Sequence, residues 1–379
     1  MGKGRSREKA EHYFPSVQGY YHWYDEALGR DPEIETERLE ELRREFESRN
    51  FSTSISEEER QKLLQDFDRA AEIGLMRVSK LWEVCKALDI TSDYLEKIEL
   101  FRRKYPVSLN QPEIYNLITH VINEGSATRG KTPRVAYNNL DLSLHDRVVS
   151  LVEALGGRWG RRIGKDNVPE TTVDATTARI LTKAGLVLGA KTTGQYLQPL
   201  PAPIREDGAL LRYHLSATFT GEGWPSLELK EGERPHFLVA YSRSVDITDR
   251  LPREYRDSMQ KGEKLTAGKM PEEIRLIIDE APFPLLEDEV NILTKVIDEP
   301  VRVNFVGLYK SEDEHVTMES RVVLRGSEAL QKFREEIGFL PGSEVNRRFE
   351  EMWKIYQENK GKKLTREEIE ELRKRLAHL

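Results

Sequence analysis

The stretch Leu117-Ile118-Thr119-His120-Val121-Ile122-Asn123-Glu124-Gly125 has a second version further along the chain, Leu215-Ser216-Ala217-Thr218-Phe219-Thr220-Gly221-Glu222-Gly223. Each stretch predicts an amphipathic helix that stops on a glutamate followed by a glycine. Glycine suits that place, because the left-handed residue that closes many helices carries no Cβ penalty there. The glutamate does not suit it. A helix C-terminus carries partial negative charge, and lysine or arginine would be the comfortable neighbour. Two such acids at equivalent places point to carboxylates wanted together. Helices packed side by side would bring Glu124 and Glu222 close, and paired carboxylates repel unless a divalent cation or a shared proton compensates them. An oxygen-only pair of this kind suits Mg2+ or Mn2+.

The elements after each copy repeat as well. After Gly125 the patterning predicts a strand over 134–138, a helix over 143–155, two short strands and a helix over 176–184. After Gly223 it predicts strands over 227–229 and 237–241, a helix over 285–296, strands over 301–309 and 316–324, and a helix over 327–337. Both halves read α-β-β-α-β-β-α, and the second carries a long polar insertion over 243–283. The expected fold class is α+β, with two pseudo-symmetric repeats over 112–205 and 206–350. An all-α N-terminal domain over 1–105 precedes them, and a helical tail over 351–379 completes the chain.

Over roughly residues 112 to 350 the chain resembles the two-repeat, single-chain LAGLIDADG homing endonucleases. The duplicated motif, its Glu-Gly endings and the matching element order carry the resemblance. So do the phrases Tyr137-Asn138-Asn139-Leu140-Asp141 and Glu336-Ile337-Gly338-Phe339. It implies motif helices at the interface of two half-domains and saddle-shaped antiparallel sheets that straddle duplex DNA. It also implies motif acids that hold divalent metal and cut one strand each. Glu124 and Glu222 are then the implied metal ligands and catalytic residues. The helix-interface positions are Thr119, Asn123, Ala217 and Gly221. Ala217 and Gly221 are small, as close packing requires, whereas Thr119 and Asn123 are larger and polar. His120, where an apolar residue is usual, reads as a packing residue, as do His214 and Trp224.

The implied function is site-specific cleavage of double-stranded DNA. The alternative is a LAGLIDADG-derived transcriptional regulator or RNA maturase that has lost cleavage, and a third reading is an interaction protein that binds no DNA. Retention of both acids favours the enzyme, since a pure binder gains nothing from two anions near phosphate. With both repeats in one chain, a monomer is expected, and with no intein splicing blocks visible it reads as free-standing.

Composition narrows the rest. Of the 379 residues, 38% are hydrophobic and 33% charged, a balance that recurs in proteins from hot, often archaeal, sources where ion-pair networks help. The lone Cys85 excludes an internal disulfide or a cysteine zinc cluster and reads as a small buried hydrophobe. No run approaches the roughly 18 apolar residues of a membrane helix, and no apolar stretch follows the basic N-terminus. A soluble cytoplasmic protein without a membrane partner is expected. No Walker, Rossmann or nucleophile-elbow pattern is present, so no small-molecule cofactor is expected, and the segment 189–194 reads as a loop.

A net charge of −7 opposes nucleic-acid binding, but the acids concentrate in 32–47 and 365–371. Arg129, Lys131, Arg134, Arg158, Arg161, Arg162 and Lys165 cluster between predicted strands as candidate phosphate contacts. Lys191 and Lys310 join them by residue type alone. Residues 77–104 form a candidate helix-turn-helix on Cys85, Ile90 and Leu95, with Asp89 where the turn usually has glycine. Aromatic residues from Tyr13 to Tyr24 read as packing for a small helical subdomain.

Overall fold

A computed structural model of the chain describes residues 33–35, 39–48, 56–73, 75–77, 80–81, 83–84, 107–129, 133–164 and 167–377. The aromatic N-terminal run, residues 85–104 of the candidate helix-turn-helix with Cys85, Ile90 and Leu95, and Lys131 and Lys165 lie outside these residues. The chain divides into two units, Met1–Ile114 with Val152–Arg158, and Tyr115–Leu151 with Trp159–Leu379.

In the first unit the described elements are β1 (Glu33–Glu35), α1 (Leu39–Ser48), α2 (Glu57–Ile73) and β2 (Leu75–Arg77). α2 begins on a capping box: the Glu59 amide donates to Ser56 Oγ at 3.2 Å, and the Ser56 amide donates to Glu59 Oε2 at 2.9 Å. Leu42 and Phe46 on α1 and Leu63, Phe67 and Ala70 on α2 are buried at helical spacing, with the Phe46 and Phe67 rings 5.7 Å apart. The expectation of an all-α domain is corrected here. β1 and β2 pair antiparallel, with Ile34 opposite Met76. Strands of three residues are too short to leave a period-2 pattern in the sequence.

The first repeat comprises α3 (Pro112–Glu124), β3 (Gly125–Thr128), β4 (Arg134–Asn138), α4 (Leu142–Ala154), β5 (Trp159–Ile163), β6 (Pro169–Val173) and α5 (Ala175–Lys183). A short helix, α6 (Ala202–Glu206), leads into the second repeat. That repeat comprises α7 (Gly208–Glu222), β7 (Gly223–Glu228), β8 (His236–Asp246), the insertion, α10 (Pro284–Ile297), β10 (Arg302–Lys310), β11 (Val316–Arg325) and α11 (Ser327–Glu336). The insertion holds α8 (Arg253–Ser258), β9 (Lys264–Thr266) and α9 (Glu272–Asp279). Both repeats therefore keep the order α-β-β-α-β-β-α.

The two sheets are antiparallel and share one topology, β3-β4-β6-β5 in the first and β7-β8-β11-β10 in the second, which β9 extends at its edge. The polar look of the insertion hid that strand. Its backbone approaches β10 so closely that a Cβ on Gly307 would lie 2.5 Å from the Leu265 carbonyl oxygen. After α11, Gly338 takes a positive φ of 63° and its amide donates to the Phe333 carbonyl at 2.7 Å, closing the helix. α12 (Glu344–Asn359) then runs through residue 350, where a separate tail was expected to begin, and α13 (Arg366–Leu376) comes after it. Ile355, Leu364, Ile369 and Leu372 bury a small core with Leu229, so these helices pack onto the second repeat.

The motif glycines are needed for a different reason from the one the sequence suggests. Gly223 is extended (φ −109°, ψ 171°), and Gly125 is not among the residues with positive φ. Each is the first residue of a strand, and each is pinched between its own helix and the neighbouring strand. A Cβ on Gly223 would sit 2.4 Å from the Phe219 carbonyl oxygen and 2.9 Å from that of Ala240. On Gly125 it would sit 2.6 Å from Val121 Cα and 2.8 Å from the Ala136 carbonyl oxygen. Backbone atoms cannot yield as a side-chain end can, so Gly223→Ala is expected to destabilise the protein by about 3 kcal/mol. Urea unfolding would check this; a loss below ~1 kcal/mol would mean that the strand can retreat.

Candidate functional site

α3 and α7 meet along the faces that carry the duplicated motif. Thr119, Asn123 and Ala217 are all buried. The polar residues of the first copy are used across the helix pair. His214 Nε2 lies 3.0 Å from Glu289 Oε1 and donates to it, which leaves Nδ1 to accept from the Thr119 hydroxyl at 3.1 Å. His120 Nε2 and the Tyr213 hydroxyl share a bond of 2.9 Å, and the Thr218 hydroxyl donates to Asn123 Oδ1 at 3.3 Å. Burial, helped by Arg147, holds the His120 imidazole down at about 3, so it packs as a neutral ring. A Cβ at Gly221 would meet Glu124 Cγ at 3.0 Å and Asn123 Cβ at 3.3 Å. The missing side chain on α7 is thus the space into which the end of α3 fits.

Glu124 and Glu222 end the two helices and act on each other. Burial first, and then the Glu222 charge, push the Glu124 carboxyl up to about 7, against the pull of Lys191 and Arg243. The Glu222 side chain is 27% exposed, so the pair opens to solvent on one side. Lys191 stands in the 189–194 segment, which is a loop, as the sequence indicates. The loop is tied to both repeats: the Gly189 amide donates to the Ala127 carbonyl at 2.7 Å, and the Asp246 amide donates to the Thr192 carbonyl at 3.1 Å. The Lys191 ammonium donates to the Asn123 backbone carbonyl. Burial brings it down to about 8, although the Glu222 and Glu124 charges act to raise it.

Behind the carboxylates lies a buried network that sequence reasoning missed. Arg243 on β8 is fully buried; its Nη2 donates to Glu289 Oε1 at 2.7 Å and to Asn123 Oδ1 at 2.6 Å. Its Nη1 donates to Glu222 Oε1 at 3.3 Å and to the Tyr196 hydroxyl at 3.3 Å. One guanidinium therefore touches both motif helices, β8, α10 and the segment between the repeats. Burial would raise the Glu289 carboxyl, but Arg243 and His214 reverse that and hold it well below the usual carboxylate range. A signal was present. Arg243 has the strand parity of the buried Phe237, Val239 and Tyr241, and Glu289 falls on the apolar stripe of Leu285, Leu286, Ile292 and Leu293.

The remaining cations fall into three groups. Arg134 Nη2 and Arg162 Nε both donate to Glu170 Oε1, at 2.9 and 2.7 Å, and Arg161 pairs with Asp146 at 2.8 Å. These side chains stand on the first sheet, where β5 is exposed throughout. Arg129 is exposed, with Nε donating to the Leu188 carbonyl at 3.2 Å, and Arg158 is half-buried. Lys310 is a correction. It is 7% exposed, and its ammonium donates to the carbonyls of Arg256 and Met259 at 2.8 and 3.0 Å. It clips the insertion to β10, and its charge is not offered to a ligand.

Among the described residues no group of three or more His, Cys, Asp or Glu side chains could enclose a metal ion. Two carboxylates close enough to feel each other's charge still fit a hard cation that keeps water or phosphate oxygens in its other positions, which is the usual way Mg2+ is held. Burial and then the Glu222 charge raise Glu124, and a cation bound by both carboxylates would relieve the second of these. Among the described residues no helix is long and apolar enough to cross a membrane.

No family model and no curated protein matches the chain. Solved structures similar to it include the meganuclease I-SmaMI bound to uncleavable DNA, 10% identical, covering 70% of this chain and 98% of that one, with a TM-score of 0.40. The LAGLIDADG meganuclease I-AabMI bound to uncleaved DNA is 12% identical, covering 69% of this chain and 96% of that one, with a TM-score of 0.38. Full-length DUF199/WhiA from Thermatoga maritima is 11% identical with a TM-score of 0.35, covering 66% of this chain; this chain spans 61% of its length. These are the kinds of protein the duplicated motif resembles, and the functional reading rests on the side chains around Glu124 and Glu222.

Proposed function

We propose that the chain is a site-specific endonuclease that cuts double-stranded DNA with a divalent cation, Mg2+ or Mn2+, held by Glu124 and Glu222. The observation that carries this reading is the meeting of the two carboxylates at the ends of packed helices, at a stability cost that a purely structural site has no reason to retain. Glu124 and Glu222 would hold the cation against the scissile phosphates. When bound, the cation would lower the pKa of an attacking water and take up charge at the departing oxygen. Lys191, poised near both carboxylates, would stand close enough to counter phosphate charge. Arg129, Arg134, Arg158, Arg161 and Arg162, with Lys131 and Lys165, are proposed to contact the duplex, and the two sheets are proposed to form its saddle. Both half-sites would be served by one chain, acting as a monomer.

The second reading, a regulator that binds without cutting, draws on the pairing of Arg134 and Arg162 with Glu170. Cations already neutralised gain less from phosphate than free ones.

One experiment separates the two. The purified protein is incubated with a randomised duplex library in Mg2+ or Mn2+, beside a Glu124→Gln/Glu222→Gln variant, and bound and cleaved fractions are sequenced. Metal-dependent cuts at one shared long site, lost in the variant, are expected. Specific binding without cuts, unchanged in the variant, would leave the regulator.

Metal-free protein should also betray the site through pH. The unfolded chain gives up the Glu124 proton near 4.5 while the folded state keeps it to about 7, so this group makes stability fall across that interval. Lys191 has the opposite sign. Its folded value of about 8 lies below the ordinary 10.5, so the unfolded chain binds more protons between them and stability rises there. In EDTA the two groups together give a stability minimum between about pH 7 and 8, and added Mg2+ should fill it in. Chemical denaturation at a series of pH values would check this, and a profile unchanged by Glu124→Gln would refute it.

A further inference from the structure

Strand register fixes equivalent places on the two sheets, since Gly125 lies opposite Tyr137 and Gly223 opposite Tyr241. One residue further on, Asn138 pairs with Glu170 on β6, and Ser242 pairs with Arg321 on β11. Arg321 and Glu170 are therefore the same position of the two repeats, and they carry opposite charge. The fold itself asks for no cation there. In the first repeat Glu170 is spent on Arg134 and Arg162. In the second, Arg321 stands between the buried Ser320 and Val322, so strand alternation turns it to the face away from the core.

Its surroundings hold the guanidinium without using it up. The guanidinium carbon lies 5.0 Å from the centroid of the Trp224 ring, the indole directly after Gly223. Nε is 3.5 Å from Ser242 Oγ, and Nη2 is 3.6 Å from Glu319 Oε1, both too long to spend a donor fully. Glu319 is itself engaged by Lys264 on β9, which donates to its other oxygen. The strand of the insertion thus takes up the acid that would otherwise draw Arg321 away. The Arg321 side chain is 38% exposed.

β11 is the middle strand of its sheet, in the order β7-β8-β11-β10-β9. The major groove is about 12 Å wide and admits two strands about 5 Å apart. The central strands of a sheet laid there reach base edges, and its outer strands meet phosphates. A planar fork held on a rigid ring suits the paired O6 and N7 acceptors of guanine. We propose that Arg321, laid on Trp224, reads a guanine in the major groove of the half-site that the second repeat covers. This rests on the duplex-binding half of the proposed function and needs no cleavage. Trp224 is a positioning residue that sets the plane of the fork.

Fragments bound by the full chain, cut or whole, are selected from a randomised duplex library in Mg2+ and sequenced, beside the variants Arg321→Gln and Trp224→Leu. The wild type should demand guanine at one position by about tenfold or more. Arg321→Gln should turn that position to adenine, whose N6 and N7 match a glutamine amide, and leave the rest of the site as it was. Trp224→Leu should weaken the guanine preference at the same position severalfold. A uniform loss over all positions in Trp224→Leu would strike the positioning role of the indole. A measurement on the wild type alone checks the contact where a variant does not fold. Replacing N7 of the demanded guanine by carbon should weaken binding by about tenfold. Full affinity for that duplex, or an unchanged base preference in folded Arg321→Gln, would overturn the proposal. So would a loss for every sequence alike in Arg321→Gln with a salt slope shallower by about one, the mark of a phosphate contact. Each of these outcomes leaves duplex binding standing. A chain that selects no duplex overturns the duplex-binding reading and the proposal with it.

Discussion

Glu124→Gln should abolish metal-dependent strand cleavage, lowering it by about 10³-fold or more, while making the metal-free protein more stable at pH 8. The first half follows from the proposed role of Glu124, one of two anionic oxygen ligands among the described residues. The second half separates a working site from an ordinary ion pair. Raising a carboxyl from its usual 4.5 to about 7 means that keeping it ionised at pH 8 costs the folded state about 3 kcal/mol. Glutamine keeps the shape and removes the charge, so most of that cost should return as stability. At pH 4, where Glu124 carries its proton in both states, the gain should vanish. DNA affinity in EDTA should stay within a few fold, since no phosphate contact is lost. Thermal unfolding and plasmid cleavage, run side by side, check both halves. A variant that loses stability at pH 8 would show Glu124 to be a structural acid.

The second large effect concerns the buried network. Arg243→Met should destabilise the protein by about 3–5 kcal/mol, because it strands the Glu289 carboxylate in the core, where His214 is its remaining ion-pair partner among the described residues. Arg243→Met/Glu289→Leu, which removes the pair as a unit, should recover most of that loss. The expected coupling is several times that of the exposed Arg334–Glu350 pair, where a loss within ~1 kcal/mol is expected. A double-mutant cycle by urea unfolding measures the difference. Equal losses in the single and double variants would mean that Glu289 is satisfied without Arg243.

The elements that carry a strong period were legible in the chain itself. The motif helices, the strands after them and the helix ended by Gly338 stand where the apolar pattern put them, and the duplication alone made Glu124 and Glu222 a pair. Other features left a trace that points the wrong way. The glycine after each motif reads as a left-handed cap, yet it is a matter of clearance from a strand contributed by residues well downstream. Lys310 reads as an exposed cation at a strand end, and it is spent on the carbonyls of an insertion whose course no local pattern announces. Arg243 was hidden by a boundary, because ending the strand at Tyr241 placed it among the polar residues of the insertion. Carried two residues further, the same alternation puts an arginine on the buried face. A charged residue at an apolar position is the one kind of misfit that a sequence states openly.

The pinched glycines have a mechanical consequence. Glu124 is the last residue of its helix and Gly125 the first of its strand, and Glu222 and Gly223 stand in the same relation. No loop residue lies between the sheet and the carboxylate on either side, so there is no slack to absorb a displacement. Each helix end is in effect the short arm of a lever whose long arm is a β-strand. Anything that bends or twists one sheet changes the gap between the two carboxylates directly, and a ligand that grips both sheets at once sets that gap.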